Sequence, residues 1–362
     1  MKKIPATVIT GFLGSGKTTL IRHLLQNAGG RRIALIINEF GDLGVDKDIV
    51  QGCAIEGCNE DDVVELANGC ICCTVADDFL PVMEALVERA TPPDHIVIET
   101  SGLALPKPLI RAFNWPEIKT RVTVDGVIAV VDGPALAAGQ FAADEAAVQA
   151  QRDADASMVH ENPLEDLFED QLHAADMVLL NKADALGAGE AERLVEKLNA
   201  ELRPGVHVVA TSHGEVGADV LLGLGAGAED DLDARHAHHD HHHDHDDDHD
   251  HHDDHDHDAF ESFIVEVPCQ GDPAALEAAL IELVARHNIL RIKGFVAVEG
   301  KAARHVVQGV GQRFTRYYDR AWGDDEDRAG RLVIIGQAGL DQGAIAAALN
   351  AGQRAEQKEF GA

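Results

Sequence analysis

The chain has 362 residues, of which 45% are hydrophobic and only 4% aromatic, and it carries a formal net charge of −33. That charge argues against nucleic acid or an anionic membrane surface as a partner and suits the binding of cations. The length exceeds one small domain, and no stretch approaches the ~20 consecutive apolar residues that span a bilayer. The segment from Met1 to Ile9 begins with charge, but its apolar run is too short for a signal peptide, so a cytoplasmic protein is expected.

Nearly continuous apolar runs at Ala6–Thr10, Ile33–Asn38, His95–Glu99, Gly126–Val131, Met177–Leu180 and Val206–Thr211 predict parallel strands buried on both faces. Helical patterns alternate with them at Lys17–Gln26, Asp77–Ala90, Pro163–Ala174 and Glu190–Glu201, and Leu20, Ile21, Leu24 and Leu25 mark one face of the first. This alternation predicts an α/β, doubly wound, mostly parallel sheet. The pattern breaks at Gly223–Gly227. From His236 to Asp258 the chain is almost wholly His and Asp, too poor in apolar surface to offset ordering entropy, and disorder is expected. Strand-like sequence resumes at Phe263–Val267, followed by a helix over Pro273–His287 and a strand over Leu290–Val298. Further elements are expected at Val306–Tyr318 and Arg331–Ile335, with a closing helix near Gly343–Asn350. The reading divides the chain into an α/β domain over 1–222, a His/Asp-rich linker over 223–259 and a smaller α+β domain over 260–362.

Gly11-Phe-Leu-Gly-Ser-Gly16-Lys17-Thr18 fits the phosphate-loop pattern, with a strand before it and a helix after it. Backbone N–H groups of Gly11, Gly14, Ser15 and Gly16 can turn inward around phosphate oxygens, aided by the helix N-terminus. Lys17 would reach the terminal phosphates, Thr18 would ligate Mg²⁺, and Thr19 extends the nucleotide-binding stretch. Asn181-Lys182-Ala183-Asp184 follows the fifth predicted strand, at the sheet edge where a nucleotide sits. Asp184 can accept from N1–H and the 2-amino group of guanine, a pairing adenine lacks, so GTP is favoured over ATP. The stem of Lys182 can cover the base, and Asn181 can tie the loops together. Ala210-Thr211-Ser212-His213 is a weaker signal for a backbone N–H to the guanine oxygen. In Glu99-Thr100-Ser101-Gly102, the carboxylate can hold the magnesium shell or the attacking water and the Gly102 N–H can sense the γ-phosphate. Asp132 is the rival acid and the bland alternative for either is a helix cap; Glu99 is favoured because Gly102 follows it within reach of a phosphate.

Five of the six cysteines fall between Cys53 and Cys73, a clustering that points to metal or redox chemistry. Cys70-Ile71-Cys72-Cys73 in a glycine-containing loop offers thiolates for Zn²⁺, Co²⁺ or another thiophilic ion. The alternatives are small buried apolar side chains or a redox switch. Glu39 could add an oxygen ligand, whereas Cys53 and Cys58 are auxiliary at best. The tract's His238, His239, His241, His242, His243, His245, His249, His251, His252, His255 and His257 can collect transition metal weakly at many sites. An inert solvated linker is the plainer alternative.

Together, Gly11 to Thr18, Cys70 to Cys73, Glu99 to Gly102 and Asn181 to Asp184 resemble the CobW family of metal-handling P-loop GTPases, across essentially the whole chain. The resemblance implies a P-loop G domain of the SIMIBI type and a slow GTPase acting as metallochaperone, with Lys17 and Thr18 serving phosphate and Mg²⁺, Cys70, Cys72 and Cys73 the metal, and Asn181, Lys182 and Asp184 guanine. Lys17 and Glu99 are the expected catalytic residues. Co²⁺ or Zn²⁺ is the implied cargo, and the client a metal-receiving protein such as the cobaltochelatase of corrin synthesis or a zinc enzyme. Nickel insertion, a metal store with a vestigial GTP site and a small-molecule kinase are the competing readings. A switch is expected in which GTP–Mg²⁺ orders the segment from Glu39 to Cys73 and hydrolysis releases it.

Overall fold

The computed structural model describes residues 3–37, 63–65, 79–154, 163–235, 260–287, 289–311, 313–323, 326, 328–337 and 339–349. The chain forms two compact units, Met1–His255 and Asp256–Ala362. In the first, seven strands form one sheet in the order β3-β2-β4-β1-β5-β6-β7, every pairing parallel. They are β1 (Ile4–Thr10), β2 (Ile33–Ile37), β3 (Val63–Glu65), β4 (His95–Glu99), β5 (Val122–Asp132), β6 (Met177–Asn181) and β7 (His207–Ala210). Such pairings need crossover connections, supplied here by helices including α1 (Lys17–Gln26), α2 (Leu80–Glu88), α3 (Pro106–Ala112), α4 (Leu164–Ala174) and α5 (Glu190–Glu201).

The helices cover both faces, which is why the strands read as unbroken Val/Ile/Leu runs. One core joins Val8, Ile36 and Ile98 to Phe79, Met83 and Phe113. The other joins Val131, Val178 and Leu180 to Phe12, Phe168, Leu172, Leu194 and Leu198. Leu20, Ile21, Leu24 and Leu25 of α1 are all buried, as their spacing predicts. The sequence reading names no helix over Pro106–Ala112 or Glu145–Ala154. It misses β3, whose three residues are too few to show a period, and it starts β5 at Gly126, whereas the strand begins at Val122 and a register shift on β1 falls at Ala6/Thr7.

Residues 223–235, expected in the linker, instead pack on this unit. The Asp125 carboxylate accepts the N–H groups of Gly223, Leu224 and Gly225, the latter two at 2.9 Å. Arg235 is fully buried, with Nη2 2.8 Å from Asp176 Oδ1. The glycines after 222 suggested a break because side-chain pattern carries no record of backbone N–H groups held by a distant acid. The His/Asp tract lies outside the described residues.

In the second unit, β8 (Phe260–Val267), β9 (Ile289–Val296), β10 (Ala303–Val310), β11 (Arg313–Ala321) and β12 (Gly330–Gln337) form an antiparallel sheet in the order β11-β10-β9-β12-β8. The span Val306–Tyr318, read as one element, is a hairpin of β10 and β11. Helix α6 (Pro273–Arg286) begins where Asp272 accepts the Ala274 N–H at 2.8 Å. A last helix covers 342–349. Leu276, Leu280, Ile345 and Leu349 of the two helices pack on Val265, Ile292, Leu332 and Ile334, a small α+β core.

Candidate nucleotide site

The C-terminal ends of β1, β4, β5, β6 and β7 meet at one sheet edge, with β1 in the middle of the seven strands. An open parallel sheet binds ligands at this edge. The phosphate-loop sequence forms the connection from β1 to α1, and Gly16 sits at φ 105°, a conformation that side chains resist. A Cβ there would come within 2.1 Å of Asn181 Nδ2. Glycine thus lets Asn181 approach and donate to Ser15 O at 2.9 Å. Asn181 Oδ1 in turn accepts the Gly214 N–H at 3.1 Å, so this one amide ties the phosphate loop to the loops after β6 and β7.

Lys17 is 5% exposed and its ammonium donates to Gly11 O at 2.8 Å, with Phe12 O at 3.4 Å. Its charge is therefore held over the loop rather than in bulk water. Ser15 Oγ is buried without a hydrogen-bond partner among the described residues, a polar atom that a phosphate oxygen would satisfy. Gly14 and Thr19 are exposed. Thr18 Oγ1 donates to Glu99 Oε1 at 3.1 Å, which brings a hydroxyl and a buried carboxylate together. Two hard oxygen donors of this kind fit Mg²⁺. Asp132 has other partners: it accepts the Ala135 N–H at 3.2 Å, capping the helix Gly133–Ala137, and its Oδ2 lies 2.5 Å from Lys182 Nζ.

Gly102 backs onto the phosphate loop so closely that a Cβ would lie 2.8 Å from Leu13 N. Ser101, Gly102, Leu103 and Ala104 form a tight turn, closed by Ala104 N–H to Ser101 O at 3.0 Å. Lys182 takes φ 61° and Asp184 stays partly exposed, with its N–H on Ser212 Oγ at 3.2 Å and its carboxylate 3.6 Å from His213 Nε2. The Thr211 N–H is given to Leu180 O, closing the β6–β7 end. The structure thus gathers Gly11, Gly16, Lys17, Thr18, Glu99, Gly102, Asn181 and Asp184 from the ends of β1, β4 and β6 onto one edge. Cys70, Cys72, Cys73, Glu39, Cys53 and Cys58 lie outside the described residues. Among the described residues no group of three or more His, Cys, Asp and Glu side chains could hold a metal ion. Sequence reasoning missed the Lys182–Asp132 pair and the Asp184–His213 approach, since neither partner carries a local signal.

A lysine-bearing glycine loop at the middle strand of a parallel α/β sheet, bridged by an asparagine to a distant loop, defines a P-loop nucleotide-binding protein. Residues 5–210 match "CobW/HypB/UreG, nucleotide-binding domain" and residues 260–353 match "Cobalamin synthesis protein cobW C-terminal domain". The chain belongs to the CobW/HypB/UreG family. It is 54% identical to the "Zinc chaperone CobW" of Sinorhizobium sp over 349 residues, 96% of this chain and 97% of that one. It is 57% identical to the "Zinc chaperone CobW" of Pseudomonas aeruginosa, covering 96% and 90%, and 30% identical to the "Zinc chaperone YjiA" of Escherichia coli, covering 93% and 95%. A solved structure of Zn(II)-bound YjiA GTPase from E. coli aligns with 96% of this chain and 98% of that chain at 26% identity and TM-score 0.41.

Proposed function

We propose that this protein is a GTP-hydrolysing metallochaperone of the cytoplasm, whose nucleotide cycle governs the capture and release of a transition-metal cargo. The observation that carries the nucleotide half is the double engagement of Asn181, on Ser15 O at 2.9 Å and the Gly214 N–H at 3.1 Å. It sets the guanine-reading Asp184 loop against the phosphate loop in one frame. Lys17 neutralises charge on the terminal phosphates, Thr18 and Glu99 would hold Mg²⁺, and Asp184 selects guanine. When bound, Mg²⁺ supplies positive charge to the phosphate oxygens. Glu99, buried beside Thr18, orients groups in that shell. Asp132 serves Lys182 and a helix cap, which favours Glu99 for the catalytic position.

The metal half rests on Cys70, Cys72 and Cys73, on the His/Asp tract from His236 to Asp258, and on the relatives named zinc chaperones. Zinc is therefore the preferred cargo, delivered to a metal-receiving client. Cobalt delivery to the cobaltochelatase of corrin synthesis is the second reading, favoured by the cobalamin-synthesis description of the C-terminal match. No helix among the described residues is long and apolar enough to cross a membrane.

Linkage supplies the test: if GTP tightens metal binding, metal must tighten GTP binding by the same factor. The affinity for a non-hydrolysable GTP analogue is measured with Mg²⁺, with and without Zn²⁺ or Co²⁺, on wild type and Cys72→Ser. Equal affinity with and without a metal that demonstrably binds refutes the coupling. Competition between Zn²⁺ and Co²⁺ ranks the two cargoes. Asp184→Asn should erase the preference for GTP over ATP, and a preference that survives overturns the guanine assignment.

A further inference from the structure

The turn after β4 is held from behind by α4. Gln171 is 2% exposed, and its Nε2 donates to the carbonyl oxygens of both Gly102 at 3.0 Å and Ala104 at 3.2 Å. Both amide hydrogens are thereby used on the one turn that packs against Leu13 of the phosphate loop. Three residues earlier on the same helix face, Phe168 stacks on Phe12 of that loop, with ring centroids 6.1 Å apart and planes at 20°. The helix then runs through Ala175 and Asp176 into β6, which ends at Asn181. One rigid element thus contacts the phosphate loop and the Gly102 turn and leads into the guanine-reading loop. No motif marks Gln171, because glutamine in an amphipathic helix reads as a solvent-facing residue.

We propose that Gln171 is a positioning residue for the γ-phosphate response. It acts through Gly102, and the inference rests on the nucleotide reading above. Its paired donation keeps the Ser101–Ala104 turn pressed on the phosphate loop, where the Gly102 N–H can meet a terminal phosphate. A turn that moves away strands a buried amide, so the two hydrogen bonds favour the close position. The contribution bears on GTP and not on GDP, which has no γ-phosphate to meet.

Gln171→Leu removes both donors, and Gln171→Glu keeps the shape while replacing them with an acceptor facing two carbonyl oxygens. Affinities for GTPγS and GDP, the kcat and KM of GTP hydrolysis, and thermal midpoints are measured on the full chain. The expected result is a fall of about tenfold in GTPγS affinity with GDP affinity held within about twofold, and a kcat that falls more than KM rises. Gln171→Glu should lose the most. A folded variant with an unchanged GTPγS-to-GDP ratio overturns the inference. So does an equal loss for both nucleotides, the mark of a merely structural role. Should wild type itself fail to distinguish GTPγS from GDP, the γ-phosphate role of Gly102 falls first, and that outcome is read before any variant is made.

Discussion

The two ends of the parallel sheet both bury carboxylates and use them in opposite ways. At the amino end, Asp125, Asp176 and Glu229 are enclosed by groups that belong to the fold. Asp125 takes three successive N–H groups from 223–225, and Glu229 takes the Val124 N–H at 2.9 Å and the Thr123 hydroxyl at 2.5 Å. Asp176 takes the Val127 N–H at 2.9 Å and two guanidinium groups, from Arg203 at 2.7 Å and Arg235 at 2.8 Å. At the carboxyl end, Glu99 faces a threonine of the phosphate loop and Asp184 remains partly exposed. Acids answered by backbone and arginine hold strands and chain ends in place. Glu99, answered by a short hydroxyl of the phosphate loop, and Asp184, beside His213, are the acids proposed to meet a ligand.

Mutations at the two ends should therefore separate stability from turnover. The largest effect is expected for Asp176→Asn, which removes the carboxylate charge that buried Arg235 and Arg203 share; the loss should be about 3–5 kcal/mol, read by denaturant unfolding. The GTP affinity of the remaining folded protein should be unchanged, and an affinity that falls with it would break the contrast. Lys17→Ala should lower GTP turnover at least ~10²-fold with the thermal midpoint held within a few degrees. Asp125→Asn swaps one acceptor oxygen for a donor against a row of N–H groups and should cost about 1–3 kcal/mol, again with turnover per folded molecule preserved.

The smallest effect lies on the surface. The Arg32 guanidinium and N–H hold Asp94 down from 3.8 to about 2. Because the folded value is depressed, its stabilisation is complete above the ordinary carboxylate range and is lost as pH falls towards about 2. Both side chains are 46% exposed, so solvent screening limits the pair to under about 1 kcal/mol. Asp94→Asn should be slightly less stable than wild type near neutral pH, with the gap closing in acid titration. A gap that widens in acid would show that another carboxylate controls that range.

What could be read from sequence and what could not follows from distance along the chain. The phosphate loop and Asn181–Asp184 are contiguous, and each carries its chemistry in adjacent residues, so both were legible. The strands were legible because burial on two faces leaves unbroken apolar runs. Gln171 and Gly102 are 69 residues apart, Lys182 and Asp132 are 50 apart, and Asp125 and Leu224 are 99 apart. None of these pairs has a local pattern. The sequence favoured Glu99 over Asp132 only through the nearby Gly102, because the partners that separate them, Thr18 for Glu99 and Lys182 for Asp132, lie 81 and 50 residues away.

The amino-acid sequence by itself determined the alternation of strand and helix, the phosphate-loop segment, the Asn181–Asp184 segment at the end of β6, and the cysteine and histidine clusters, because short-range spacing carries those signals. The tertiary structure decided which acid meets Thr18, that 223–235 belong to the first unit, and that α4 backs the Gly102 turn. Those outcomes depend on hydrogen bonds between groups far apart along the chain, which exist only once the sheet has brought its strand ends together.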